Sequence, residues 1–163
     1  MLFRSTIIRK ETVSLQCYSQ ALVGNQYVQS FRFKDNENLR NVKIWGVQTY
    51  YQNIFPYSLD FPIGYPQLPT KSQFRRLFLN LYDTKGINFL HTAPFVIFQS
   101  IENGTLFTNK YAENSTIQEK DFKYFKGQKL DLQNSSVEYI SNKAEQFTIV
   151  VDIYYSRIDI DKI

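Results

Sequence analysis

His91 and Cys17 are the single histidine and the single cysteine of the 163-residue chain, and most enzymatic chemistry has to be judged through them. A lone histidine can move protons near neutral pH. Following the turn sequence Asp83-Thr-Lys-Gly86, however, His91 reads more simply as a half-buried strand residue whose ring nitrogen meets a backbone carbonyl. Without a second histidine it joins no multi-histidine metal site, and one cysteine excludes the paired-cysteine patterns of zinc and iron–sulfur centres. A Cys17–His91 nucleophilic pair needs a thiol of lowered pKa, which takes nearby positive charge or a helix N-terminus. The flanks LQCYSQ provide neither.

Carboxylates that cleave glycosides can lie far apart in sequence. Asp60, Asp83, Glu102 and Asp152 are the acids nearest the apolar runs. Asp83 reads as the first residue of a turn and Asp152 as an outward residue of an alternating strand. Six scattered glycines leave no material for a phosphate loop, a dinucleotide fingerprint or a nucleophile elbow. Arg75 and Arg76 beside Phe74 and Phe78 have the residue types for nucleic-acid stacking, but RRLFLNLYD lacks the interleaved aromatics of an RNA-binding sheet. The expectation is a non-enzymatic chain with no cofactor, no metal and no specific nucleic-acid partner.

The elements that hold these residues are read from period-two alternation. In EQFTIVVDIYY, Phe147, Ile149, Val151, Ile153 and Tyr155 point one way, and Gln146, Thr148, Val150, Asp152 and Tyr154 the other. That is the pattern of a half-buried antiparallel strand. VKIWGVQTYY (42–51) alternates less cleanly, and Gly46 in its middle predicts a bulge or a close backbone approach. Further strands are expected over Thr12–Tyr18, Gln26–Phe33 and Gln128–Leu132, with turns at Asp35–Asn38, at Asp83–Gly86 and at Asn103-Gly104 between FVIFQSIE and TLFT. Helical periodicity is poor, short helices fitting only near Ser19–Val23 and Lys120–Phe125.

Two long loops interrupt the strands. Residues 53–70, NIFPYSLDFPIGYPQLPT, hold four of the five prolines and so form no ladder strand. The loop at about 109–127 is polar and expected at the surface. About eight short strands, tight turns and two long crossovers describe an all-β fold, an antiparallel β-sandwich of jelly-roll or Greek-key type, with a closed barrel as the other solution. A chain of 19.3 kDa is expected to be one domain, residues 1–163, able to bury a core without staples. Short arms are expected at the N-terminus and at 157–163, where RIDIDKI reads equally as a solvated strand end or as an arm adding to a neighbour's sheet edge.

The net charge of +4 is too small to argue nucleic-acid binding by itself. The single cysteine excludes an intramolecular disulfide, so folding in a reducing, intracellular setting is expected. Arg4, Arg9 and Lys10 interrupt the apolar start too early for a signal-peptide core, and no run approaches the ~20 apolar residues of a membrane helix. Without a secretory route, the triplets at Asn103, Asn114 and Asn134 are chance matches to a glycosylation signal.

Aromatic residues make up 17% of the chain, and they sit on both faces of several strands. Phe78 and Tyr82 oppose the aliphatic positions Leu77, Leu79 and Leu81, and Trp45 opposes Ile44. Apolar surface beyond what one core consumes is what assemblies use and monomers avoid. Phe55, Tyr57, Phe61 and Tyr65 on the proline-rich loop, with Phe78 and Tyr82, are therefore the expected partner contacts. The competing reading is a carbohydrate-binding or host-adhesion module in which Trp45, Tyr50 and Tyr51 form a flat, solvent-facing row.

The order of VKIWGVQTYY, a proline-rich segment ending LPT, the block FRRLFLNLYDTKGINFLHTAPF and the closing strand FTIVVDIYYS resembles small β-sandwich auxiliary or minor capsid proteins of AT-rich tailed bacteriophages that infect gut Bacteroidetes. The resemblance covers residues 40–156 or so. It implies a virion component made in the host cytoplasm, present in many copies, binding the capsid shell or other virion proteins and its own copies. It carries over no catalytic residue.

Overall fold

The computed structural model describes residues 7–24, 27–52, 68–99, 125 and 127–158. Their strands are β1 (Arg9–Ser19), β2 (Tyr27–Arg32), β3 (Val42–Thr49), β4 (Leu77–Asp83), β5 (Ala93–Pro94), β6 (Gln128–Ser141) and β7 (Glu145–Arg157), with one short helix, α1 (Lys71–Phe74). Every pairing is antiparallel, so the fold is all-β as the alternation predicts.

β7 lies between β1 and β3, paired with β1 from Arg9↔Tyr155 to Ser19↔Glu145. β6 lies between β4 on one edge and β2 on the other, and β5 adds two residues beyond β4. The pairs Lys43↔Lys129 and Ile44↔Gln128 join the two wings into one seven-stranded sheet. Consecutive β6 and β7 do not pair with each other. Residues 142–144 carry the chain from one wing to the other instead.

The wings share one core. Leu77, Leu79, Leu81, Val137 and Tyr139 from one meet Val13, Leu15, Cys17 and the odd-numbered residues Phe147 to Tyr155 of β7 from the other. Across that core the rings of Tyr139 and Phe147 meet edge-on at 5.1 Å. Each such side chain contributes roughly 1.5–3 kcal/mol by leaving water. The aliphatic face of β4 is thus spent on the core, and its other face is the one left to explain.

Three elements differ from the sequence reading. Ser19–Val23 is the end of β1 and an exposed turn, not a helix. Phe95–Phe98 winds into a 3-10 turn rather than a strand, placing Phe95 and Phe98 in the core. β6 runs nine residues past the predicted Leu132, through the polar sequence Gln133-Asn-Ser-Ser136. Polarity hid it because the ladder there is irregular: Asn80 faces Ser136 while Tyr82 faces Asp131. The excess on β6 is stitched by its own side chains. Ser135 Oγ donates to the Asp131 carbonyl at 2.9 Å and accepts the Tyr82 N–H at 3.1 Å.

The predicted bulge in β3 is present. The register shifts between Ile44 and Gly46, making Trp45 the extra residue. The turn at Asp83–Gly86 also forms, Asp83 Oδ1 accepting the N–H groups of Lys85 and Ile87 at 2.9 Å each while Gly86 takes φ 83°. The turn around Asn103-Gly104, the loop of 109–127 apart from Phe125 and Gly127, and the arm beyond Ile158 lie outside the described residues. Arg157 ends β7, and Ile158 is buried, its N–H on the Asn41 carbonyl at 3.4 Å.

Candidate functional site

The second face of β4 is roofed by the excursion that follows it. Asn80 is buried there and accepts from Asn88 Nδ2 at 2.8 Å and from Thr92 Oγ1 at 2.7 Å. Phe78 lies opposite Pro94 and Glu138, and Tyr82 bridges to Asn88. Both rings are half-buried by their own chain, so they offer a partner only part of their area. The other four expected contacts, Phe55, Tyr57, Phe61 and Tyr65, lie outside the described residues.

Trp45, Tyr50 and Tyr51 do not make a solvent-facing row. Trp45 Nε1 donates to Ser156 Oγ at 2.9 Å, and the glycine at 127 lies against its ring. Tyr50 is buried with Leu68 and Val150, its hydroxyl donating to Asp152 Oδ2 at 2.5 Å. Tyr51 packs on Phe74 at 5.0 Å between centroids. A row of stacking platforms needs exposed faces, and Tyr50 has none to give.

Asp60 and Glu102 lie outside the described residues, and the described groups that could do chemistry are scattered. Cys17 is fully buried, and burial, aided by Glu145, pushes its thiol up to about 12, which makes it inert as a nucleophile. His91 is exposed in a turn at φ 54°, not half-buried in a strand, because the chain reverses there to bring Thr92 onto Asn80. Asp152 is no outward residue either. It is buried, and it also accepts from Thr12 Oγ1 at 2.6 Å on the neighbouring strand. Among the described residues, no group of three potential metal ligands occurs.

The densest polar cluster closes the 142–144 crossover. Glu145 Oε2 accepts from Tyr139 at 2.6 Å and from Ser141 at 2.8 Å, while Oε1 faces Gln73 at 3.3 Å and Arg76 at 3.5 Å. Arg76 also lies over the Tyr139 ring and donates to the Ile140 carbonyl at 3.3 Å. Burial drives the Glu145 carboxyl up, but the hydrogen bonds from Tyr139, Ser141 and Gln73, with the Arg76 charge, outweigh it and hold the carboxyl below its ordinary value. Burial and the bond to Glu145 raise the Tyr139 hydroxyl. Each partner serves another partner, which describes a clasp between the wings rather than a catalytic centre.

What the sequence reading missed is the turn between β1 and β2. Val23 is 97% exposed, Val28 60%, Tyr18 52%, Tyr27 44% and Leu22 37%. The described backbone on either side of residues 25 and 26 is pinned while these side chains face water. Leu22 N–H donates to the Asn142 carbonyl at 2.9 Å, Asn142 Nδ2 to the Gly24 carbonyl at 3.1 Å, and Tyr27 Oη to the Val23 carbonyl at 3.2 Å. Gln20 and Gln29 bond each other through backbone and side chain. Beside it, β2 pairs with β6 along one edge, and among the described residues no strand pairs with the other. The only sequence signal was the apolar pairs Leu22-Val23 and Tyr27-Val28 flanking Gly24.

No protein-family model matches the chain, and no curated protein or solved structure is significantly similar to it.

Proposed function

We propose that this chain is a virion structural protein, an auxiliary or minor capsid protein that binds the shell and its own copies without catalysing a reaction. The two wings of the sheet then serve as the layers of a β-sandwich, with the β1–β2 end as the contact surface. One observation carries the reading: Leu22, Val23, Tyr27 and Val28 are held in water by a hydrogen-bonded backbone, beside an edge of β2 that no strand pairs among the described residues. An ordered apolar patch of this kind is a liability for a free monomer and a seat for a partner. The dispersal of Cys17, His91 and Asp152 favours the same conclusion, since catalysis needs titratable groups converging on one concavity.

The test is the protein content of purified phage particles. The chain should be present at a copy number that matches a capsid symmetry, and replacing both Val23 and Val28 by Asp should remove it from the particles while the soluble protein stays folded. Absence from particles, or incorporation untouched by the double substitution, overturns the proposal.

A further inference from the structure

The backbone groups along β2 can be assigned to one side or the other, residue by residue. Phe33 N–H donates to the Ser135 carbonyl at 3.1 Å, and on β6 the Ile140 N–H turns the other way, to the Arg76 carbonyl at 3.1 Å. Backbone groups alternate sides along an antiparallel ladder, and β2 pairs with β6 in one unbroken register from Tyr27↔Ser141 to Arg32↔Ser136. Tyr27, Gln29 and Phe31 therefore direct their N–H and C=O groups to β6. Those of Val28, Ser30 and Arg32 point away from it, to an edge that no strand pairs among the described residues. We propose that this edge pairs with the same edge of a second copy of the chain, antiparallel across a two-fold axis at Ser30. The inference rests on the reading of the β1–β2 end as a contact surface, and names what meets it.

The edge lacks the usual guards. Among the described residues, β1, β2 and β5 pair on one side only. Exposed edges are ordinarily blunted by charge, by proline or by shortness. β1 opens with Arg9, Lys10 and Glu11, and β5 is two residues ending in Pro94. β2, with the sequence YVQSFR, has no proline and no lysine, and its one charge, Arg32, stands at the end. A strand edge open in this way is a template for another strand.

The order of residues selects a second copy as that strand. A two-fold axis perpendicular to the sheet sets residues of the same face opposite each other. Centred on Ser30, it lays all of Val28–Arg32 against the same stretch of the second copy. Ser30 then lies opposite its own counterpart, Val28 opposite Arg32, and Gln29 opposite Phe31. No two like charges are opposed, and the apolar stem of Arg32 covers Val28, which is 60% exposed in the free chain. Val28, Ser30 and Arg32 of both copies together complete about six backbone hydrogen bonds. The β4–β6–β2 wings of the two copies become one continuous sheet. So small a contact makes a weak, reversible dimer.

The experiment is sedimentation equilibrium of the full chain at concentrations rising to about 1 mM, with residue-resolved amide exchange by ¹⁵N NMR on the same samples. A monomer–dimer equilibrium should appear. As dimer forms, exchange should slow most at Val28, Ser30 and Arg32, and least at Gln29 and Phe31, whose N–H groups already face β6. Ser30→Pro removes an outward donor at an edge position where proline is tolerated, and should weaken dimerisation at least about tenfold. Ser30→Ala keeps the N–H and should dimerise as the native chain does. A chain that stays monomeric throughout, a dimer that Ser30→Pro leaves intact, or slowing without the alternation would each overturn the proposal. The alternation is read in the native chain, so it decides the matter even if Ser30→Pro fails to fold. No particle enters these measurements, so a negative result strikes the self-pairing alone, and absence from particles strikes the virion reading alone.

Discussion

At the scale of single residues, Glu145 is where stability meets pH. Its folded-state pKa lies below the unfolded value of about 4.3. The stabilisation is therefore complete above that value and is lost as pH falls through the lower folded pKa. Urea unfolding between neutral pH and about pH 3 should show this acid-side loss in the native chain and a flatter profile in Glu145→Gln. Glu145→Ala should cost about 1–3 kcal/mol at neutral pH, since it leaves Tyr139 and Ser141 without their acceptor. A second residue-scale test concerns two left-handed glycines. A Cβ on Gly127 would sit 2.6 Å from Trp45 Cη2, at φ 73°, whereas one on Gly86, at φ 83°, meets nothing within 4 Å. Gly86→Ala should cost about 1 kcal/mol from backbone strain alone. Gly127→Ala should cost more, roughly 2–3 kcal/mol, and shift the fluorescence of the single tryptophan.

At the scale of elements, β7 was legible on one face and misread on the other. The odd positions Phe147 to Tyr155 fill the core as their alternation demands. The even positions looked solvated because Thr148 and Asp152 are polar, yet both are fully buried. Local polarity does not report what a neighbour covers: Thr12 on β1 and Tyr50 beyond β3 each bring a hydroxyl to Asp152. Asp152→Ala should accordingly destabilise by about 2–4 kcal/mol in thermal or urea unfolding, because it removes the buried carboxylate that accepts from the Tyr50 and Thr12 hydroxyls. The β1–β2 turn was illegible for the opposite reason. Leu22, Val23, Tyr27 and Val28 match any core segment in type, and only tertiary pairing leaves them outside. Val23→Asp should change stability by no more than about 0.5 kcal/mol while lowering self-association in sedimentation.

At the scale of the whole molecule, chemistry and contact are separated. Among the described residues, Asp152 and the Cys17 thiol are held in the core, Glu145 in the clasp beside 142–144 and Asp83 in a turn, while Leu22, Val23, Tyr27 and Val28 show apolar area where β1 ends and β2 begins. The candidate surface was only half legible in the sequence. Phe78 and Tyr82 were identified as aromatics beyond the core, but the excursion of residues 84–94 covers part of both, and no periodicity could announce that roof. The excess of rings over core was visible; the place where apolar surface meets water was not.

The most direct test of the central claim is hydrogen–deuterium exchange of the free chain against the chain in purified particles. The account predicts that amides of residues 18–24 and 27–32 exchange more slowly in the particle than in the free protein. Unchanged exchange across that stretch, with protection elsewhere or nowhere, would contradict it.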